Sequence, residues 1–254
     1  MNREADYLSE LNSTPDQVTF LREHSRLPGP RANLELMQAA ADGADERSFR
    51  EWIALGSGDD PTDEFLAVCG LVGLGRLLAE GRRDLVGELY AYASDSRWRV
   101  REAVTMALQR VGDADIDLLF RIVGSWAEDR PYVQRAAIAA ASEPRLLRTG
   151  KASRAAVDLV DQVTANLEGM PERRSDEFRT LRKALAYCWS VVVVANPAYG
   201  MPRMERWIDS TDPDVRWIVR ENLKKARLAR LDSAWVAKLK SELPPARANP
   251  GRQR

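Results

Sequence analysis

One recurring helix start constrains this chain more than any other feature. Ala32, Phe65, Val100, Val133, Phe178 and Val215 stand at equivalent places in similar segments, separated by 33, 35, 33, 45 and 37 residues. The later copies superimpose best: VREAVTMAL (100–108), VQRAAIAAA (133–141), FRTLRKALA (178–186) and VRWIVRENL (215–223). In these four a basic or polar residue follows the anchor, and a small or aliphatic residue stands three places on. That spacing returns to the same face of a helix. Two helices repeated every few dozen residues cannot hide their apolar faces one pair at a time, but stacked pairs bury a continuous core.

Strand signals are nearly absent, and polar caps followed by proline open many of the helices. Thr14-Pro15-Asp16-Gln17, Asp60-Pro61, Asp129-Arg130-Pro131 and Asp212-Pro213 all read this way, and Asp113, Ser175 and Asp232 can cap as well. A side-chain oxygen at such a position accepts from first-turn amides that have no helical partner, and proline has no amide to leave unpaired. The pattern predicts helices over 15–25, 30–42, 46–55, 61–79, 82–93, 96–111, 113–127, 130–147, 152–168, 175–195, 201–209, 212–229 and 233–242. The expected fold is all-α: an α-α superhelix of about six antiparallel helix pairs. It forms one domain over 1–243, with its clearest repeats in 95–230. A proline- and arginine-rich tail, 244–254, is expected to be disordered.

SDSRWRVREAVTMALQRVG (94–112) and DPDVRWIVRENLKKARL (212–228) resemble HEAT repeats, including the HEAT-like repeats of PBS-lyase type. These favour Asp-Pro-x-Val-Arg-x-Ala at the start of the second helix. Asp212, Pro213, Val215 and Arg216 match that pattern, with Ile218 in place of the alanine. Val100, Arg101 and Ala103 match it, without the proline. The resemblance implies a solenoid whose second helices line a concave face, and it names no activity.

Zero net charge hides a gradient. Residues 1–96 carry 9 basic and 18 acidic side chains, 97–200 carry 16 and 13, and 201–254 carry 13 and 7. A neutral total argues against a general nucleic-acid coat but leaves room for a basic surface near the C-terminus. Read as one helix, 212–229 puts Val215, Ile218, Val219, Asn222 and Ala226 on a core stripe. Arg216, Arg220, Lys224 and Arg227 fall on an adjacent arc with Trp217 at its edge. Those five residues are the leading binding candidates, with Arg99 and Arg101 next. The expected partner is a protein or acidic peptide, with nucleic acid the other reading of the same charges.

Seven tryptophans, with arginines beside Trp98 and Trp217, are similar to those of HEAT-like DNA glycosylases of the alkylation-repair type. In that alternative Trp126 and Asp129 are the candidate catalytic pair, although Asp129 also reads as a helix cap. Other chemistries lack their residues. The single histidine, His24, ends a helix and can build neither a triad nor a histidine metal site. DADID (113–117) has Leu118 and Gly124 where a calcium loop needs Gly and Glu. GLVGLG (70–75) follows no strand and so suits close helix packing better than a dinucleotide. In GSGDD (56–60) the carboxylates would repel phosphate. LPGPR (27–31) reads as a rigid turn. No cofactor or metal is implied, and the expectation is a non-catalytic scaffold. Cys69 and Cys188, in apolar stretches, are expected as buried thiols of a cytoplasmic protein. The longest apolar run, 184–195, is too short to span a bilayer, so no membrane is expected.

Overall fold

The computed structural model describes residues 3–244. These residues form fifteen α-helices, three short 3-10 turns and no strand, so the all-α class holds. In chain order the helices are α1 (Arg3–Ser13), α2 (Gln17–His24), α3 (Leu34–Gly43), α4 (Glu46–Leu55) and α5 (Asp63–Ala79). Next come α6 (Val86–Tyr92), α7 (Trp98–Ala114), α8 (Ile116–Trp126), α9 (Pro131–Ala141) and α10 (Gly150–Glu168). The last five are α11 (Asp176–Ala195), α12 (Pro197–Glu205), α13 (Pro213–Leu223), α14 (Ala226–Leu231) and α15 (Ser233–Glu242). By its packing the chain divides into two compact units, Met1–Ile122 and Val123–Arg254. From residue 245 on, the tail lies outside the described residues.

The recurring anchor has a uniform structural meaning. Phe65, Val100, Val133, Phe178 and Val215 are each the third residue of their helix, and each is buried. The first copy is misplaced: Ala32 precedes α3 and is only half-buried, and Leu36 holds the third, buried position. Within the first unit α3 packs on α5 and α5 on α7, while α4 lies against α5 and α6 against α7. Within the second unit α9 packs on α11 and α11 on α13, with α10 against α9 and α11, and α12 against α10 and α11. Alternate helices therefore neighbour each other in sequence order inside each unit.

The glycines of 70–75 serve close packing. A Cβ on Gly73 would lie 2.3 Å from the Phe49 ring of α4, and one on Gly75 would lie 2.4 Å from Ala107 Cα of α7. A bare glycine is what lets α5 approach both neighbours.

Helix starts follow the capping logic with shifted positions. Asp212 accepts from the amides of Asp214 and Val215, Ser175 from Phe178, and Asp232 from Trp235. Asp16, not Thr14, caps α2. Asp115, not Asp113, accepts from Leu118 at the start of α8. Asp129 accepts from the adjacent Arg130 amide, before a helix that starts at Pro131. Asp60 accepts from Thr62, ahead of α5. Helix α1, absent from the expected set, packs on α3 although Leu11 is its one buried residue. Its polar sequence carries too short an apolar stripe to announce it.

One difference bears on function. Residues 212–229 are not one helix: α13 ends at Leu223, Lys225 takes extended geometry (φ −74, ψ 123), and α14 begins at Ala226. The reason is burial. At 100° per residue, a continuous helix would carry Leu228 about 130° from the middle of the Val215–Asn222 stripe. Breaking after Lys224 returns Leu228 to the interior, where it is fully buried.

Candidate functional site

In the second unit, α11 and α13 are joined by a buried asparagine. Asn222 Nδ2 donates to the Leu185 and Ile218 carbonyls at 3.0 and 2.9 Å, and its Oδ1 accepts from the Ser190 amide at 2.9 Å. This fixes the register of the two helices whose outer faces carry the cations. On α11 the exposed stripe is Arg179, Lys183 and Tyr187, four residues apart. On α13 Arg216, Trp217 and Arg220 are half-buried, and Lys224 at its end is exposed.

At one edge of this face the charges are neutralised. Asp212 and Asp214 both receive the Arg173 guanidinium, at 2.6 and 3.1 Å, and Arg182 also pairs with Asp214. Burial pushes the Asp212 carboxyl up, but Arg173 and the amides of Asp214 and Val215 together pull harder and hold it below the ordinary carboxylate value. The hydrogen bond that Arg173 donates to Asp212 in turn holds its guanidinium above the ordinary value.

Away from that edge Arg220 and Arg227 meet neutral groups. Arg220 donates to the Pro244 carbonyl at 2.7 Å. Arg227, on α14, donates to the Tyr187 hydroxyl at 2.9 Å, and its guanidinium carbon lies 4.6 Å from the centre of that ring. Lys225 lies 5.8 Å from the same ring. Arg216 has no ion-pair partner among the described residues, whereas Lys224 pairs with Glu221 at 2.5 Å. Of the four predicted cations, Arg216 and Arg220 stay on α13, Lys224 caps it, and Arg227 reaches the face from α14. Trp217 is half-buried, and the Arg182 guanidinium lies over its ring at 4.3 Å. The exposed aromatic here is Tyr187, half open to solvent. Its four-residue spacing from Arg179 and Lys183 is visible in the sequence.

Trp126 is 4% exposed, so its ring offers no face to a base. Asp129 borders a shallow cleft of about 530 Å³ between the start of α9 and the end of α10, with Gln134, Asn166 and Met170. Neither His24 nor the cysteines form a chemical centre. His24 Nδ1 donates to the Phe20 carbonyl at 2.9 Å, and both thiols are buried, with burial pushing the Cys69 thiol far up. No group of three or more metal-ligating side chains comes together among the described residues. None of the described helices is long and apolar enough to cross a membrane.

The two second-choice arginines lie in the first unit and part company. Arg101 is buried, and its guanidinium donates to the Asp95 and Ser96 carbonyls just before α7. It therefore holds the turn and is not available to a partner, which corrects the expectation. Arg99 pairs with Glu64 at 2.9 Å, donates to the Gly29 carbonyl at 3.2 Å, and borders a groove of about 530 Å³. Leu34, Val68, Trp98 and Met106, from α3, α5 and α7, supply the groove's apolar surface. The loop 26–32 supplies one wall, including Arg26, whose backbone is left-handed at φ 63.

No protein-family model matches the chain, and no curated protein matches it. Among solved structures it is similar to an engineered protein at 17% identity and a TM-score of 0.36, over 95% of this chain and 98% of that one. That likeness is too slight to bear on fold or function.

Proposed function

We propose that this chain is a non-catalytic binding scaffold, a HEAT-like α-solenoid of about six helix pairs whose basic face on α11, α13 and α14 holds an acidic protein segment. The helix order supports the solenoid reading: inside each unit the second helices follow one another as neighbours, as stacked pairs require. One observation carries the binding reading. Arg220 and Arg227 meet a carbonyl and a phenol and not carboxylates, and Arg216 has no ion-pair partner among the described residues. From Pro213 to Arg230 there are six basic side chains and two acidic ones.

Each contact on such a face is weak alone. An exposed ion pair is worth about 0–1 kcal/mol and is screened by salt. Useful affinity needs several carboxylates on one segment, which favours an extended acidic stretch over a single side chain. The test is fluorescence anisotropy with a labelled twenty-residue poly-glutamate peptide at 50 and 300 mM NaCl. A single-stranded DNA of equal length serves as the competing polyanion. The peptide is expected to bind at low salt, lose most of its affinity at high salt, and bind about ten-fold more weakly to the triple variant R216E/R220E/R227E. Equal binding by the native and triple-variant proteins would refute the assignment. Binding of DNA alone would move the face to nucleic acid.

A further inference from the structure

The groove of the first unit holds a combination that a folded chain rarely leaves in water. Trp98 is 53% exposed and Leu34 is 51% exposed, and they are the two most exposed large hydrophobic side chains among the described residues. Both border the same hollow, whose volume of about 530 Å³ falls in the range of ligand-binding clefts, and the well-buried Val68 also lines it. Scattered apolar residues on a surface need no explanation, but two large ones converging on a concave site mark a contact surface.

The charges around the hollow choose the occupant. Three guanidiniums, of Arg26, Arg31 and Arg99, line it against two carboxylates, of Glu35 and Glu102. The carboxylates are engaged: Glu35 with Arg26 at 3.6 Å, and Glu102 with a partner of its own. Arg31 is exposed and has no ion-pair partner among the described residues. Arg99, which lies 4.7 Å from the Trp98 ring centre, has a buried Nε with no hydrogen-bond acceptor. With Arg26 held by Glu35 and Arg99 by Glu64, Arg31 is the open charge, and it sits beside the apolar surface.

We infer that this groove is a docking site for a protein segment that presents one large apolar side chain next to a carboxylate. The apolar side chain enters between Leu34 and Trp98, and the carboxylate meets Arg31. The site is separate from the basic face of the second unit and stands whether or not that face binds anything. The two differ in kind: the basic face counts charges, whereas the groove needs a hydrophobic anchor.

The experiment uses the full chain and three labelled ten-residue peptides. The first has one phenylalanine between two aspartates in a Gly/Ser background, the second replaces the phenylalanine with glycine, and the third replaces the aspartates with lysines. Anisotropy should show the first binding about ten-fold or more tightly than the second, the fold-change expected for burying one aromatic side chain. Trp98→Ala should abolish that difference, and Arg31→Glu should weaken the first peptide several-fold. Because both side chains are exposed, the variants should melt within a few degrees of the native protein. R216E/R220E/R227E should leave the phenylalanine preference unchanged, which separates this result from the fate of the basic face. The inference is overturned if phenylalanine and glycine peptides bind alike, if the lysine peptide binds as well as the first, or if the preference survives Trp98→Ala. It is also overturned if sedimentation shows a dimer that Trp98→Ala dissociates, since the groove would then be filled by a second copy.

Discussion

Replacing Asn222 with alanine tests how the basic face is built. The Asn222 side chain is fully buried and makes three hydrogen bonds, two to carbonyls of α11 and α13 and one from the Ser190 amide. A typical buried hydrogen bond contributes about 1 kcal/mol net, and a stranded buried donor costs about 1–3 kcal/mol more. The carbonyls are less exposed to this penalty, because each has a second lone pair. The Ser190 amide lies inside α11, where a helix carbonyl can take up part of its hydrogen, so its penalty falls at the low end of that range. The expected loss is therefore about 3–5 kcal/mol, a large share of the 5–15 kcal/mol that holds a typical protein together. Urea denaturation of native and variant proteins measures it, and hydrogen exchange at the Ser190 amide localises it. Asn222→Asp keeps the acceptor for Ser190 but aims carboxylate oxygen at the two carbonyls, so it should be at least as damaging as alanine. A loss below about 1 kcal/mol for Asn222→Ala, with Ser190 still protected, would mean that apolar contacts alone set the α11–α13 register.

Three more outcomes follow from the packing and the ion pairs. Gly73→Ala puts a methyl 2.3 Å from the Phe49 ring and should cost at least about 1–3 kcal/mol by thermal denaturation, with Phe49→Leu in the same chain recovering part of it. Arg101→Met removes two hydrogen bonds from a buried guanidinium to backbone carbonyls; it should lower stability by about 2–4 kcal/mol while leaving acidic-peptide affinity unchanged. Asp212 is held below the ordinary carboxylate value of 3.8 in the folded chain. A depressed carboxyl contributes stability that is present above its unfolded value and is lost as pH falls through the folded one. Stability measured from pH 5 downward should therefore fall below about pH 4, and Asp212→Asn should flatten part of that slope while lowering the plateau at neutral pH.

The sequence carried the periodic part of this protein well. Third-position anchors, Asp and Ser caps and apolar stripes are local patterns, set by the 3.6-residue turn and by unpaired first-turn amides. That is why α5, α7, α9, α11 and α13 could be placed from residues alone. The errors gathered where local pattern and burial disagree. Lys224–Lys225 reads as helix, yet the chain turns there because Leu228 must face inward. Arg101 reads as a surface cation because it follows an anchor, yet the carbonyls of Asp95 and Ser96 draw it inside.

The candidate sites were legible only as ingredients. Composition and spacing singled out Arg216, Arg220, Arg227 and Arg99 as charges, and Trp98 and Trp217 as aromatics. Whether a charge is spent or open depends on what stands opposite it across the fold. Arg182 and Arg173 consume Asp214 and Asp212, Arg182 covers Trp217, and Tyr187 rises from α11 to meet Arg227. Leu34 and Trp98, 64 residues apart in the chain, meet at one hollow through the packing of α3 and α7 on α5. By itself the sequence determined that the chain is helical and where most of its helices begin, because those choices are made within a few residues. Which side chains are buried, neutralised or left open was decided only by tertiary packing, because Coulomb attraction and apolar burial act between residues that the chain order keeps apart.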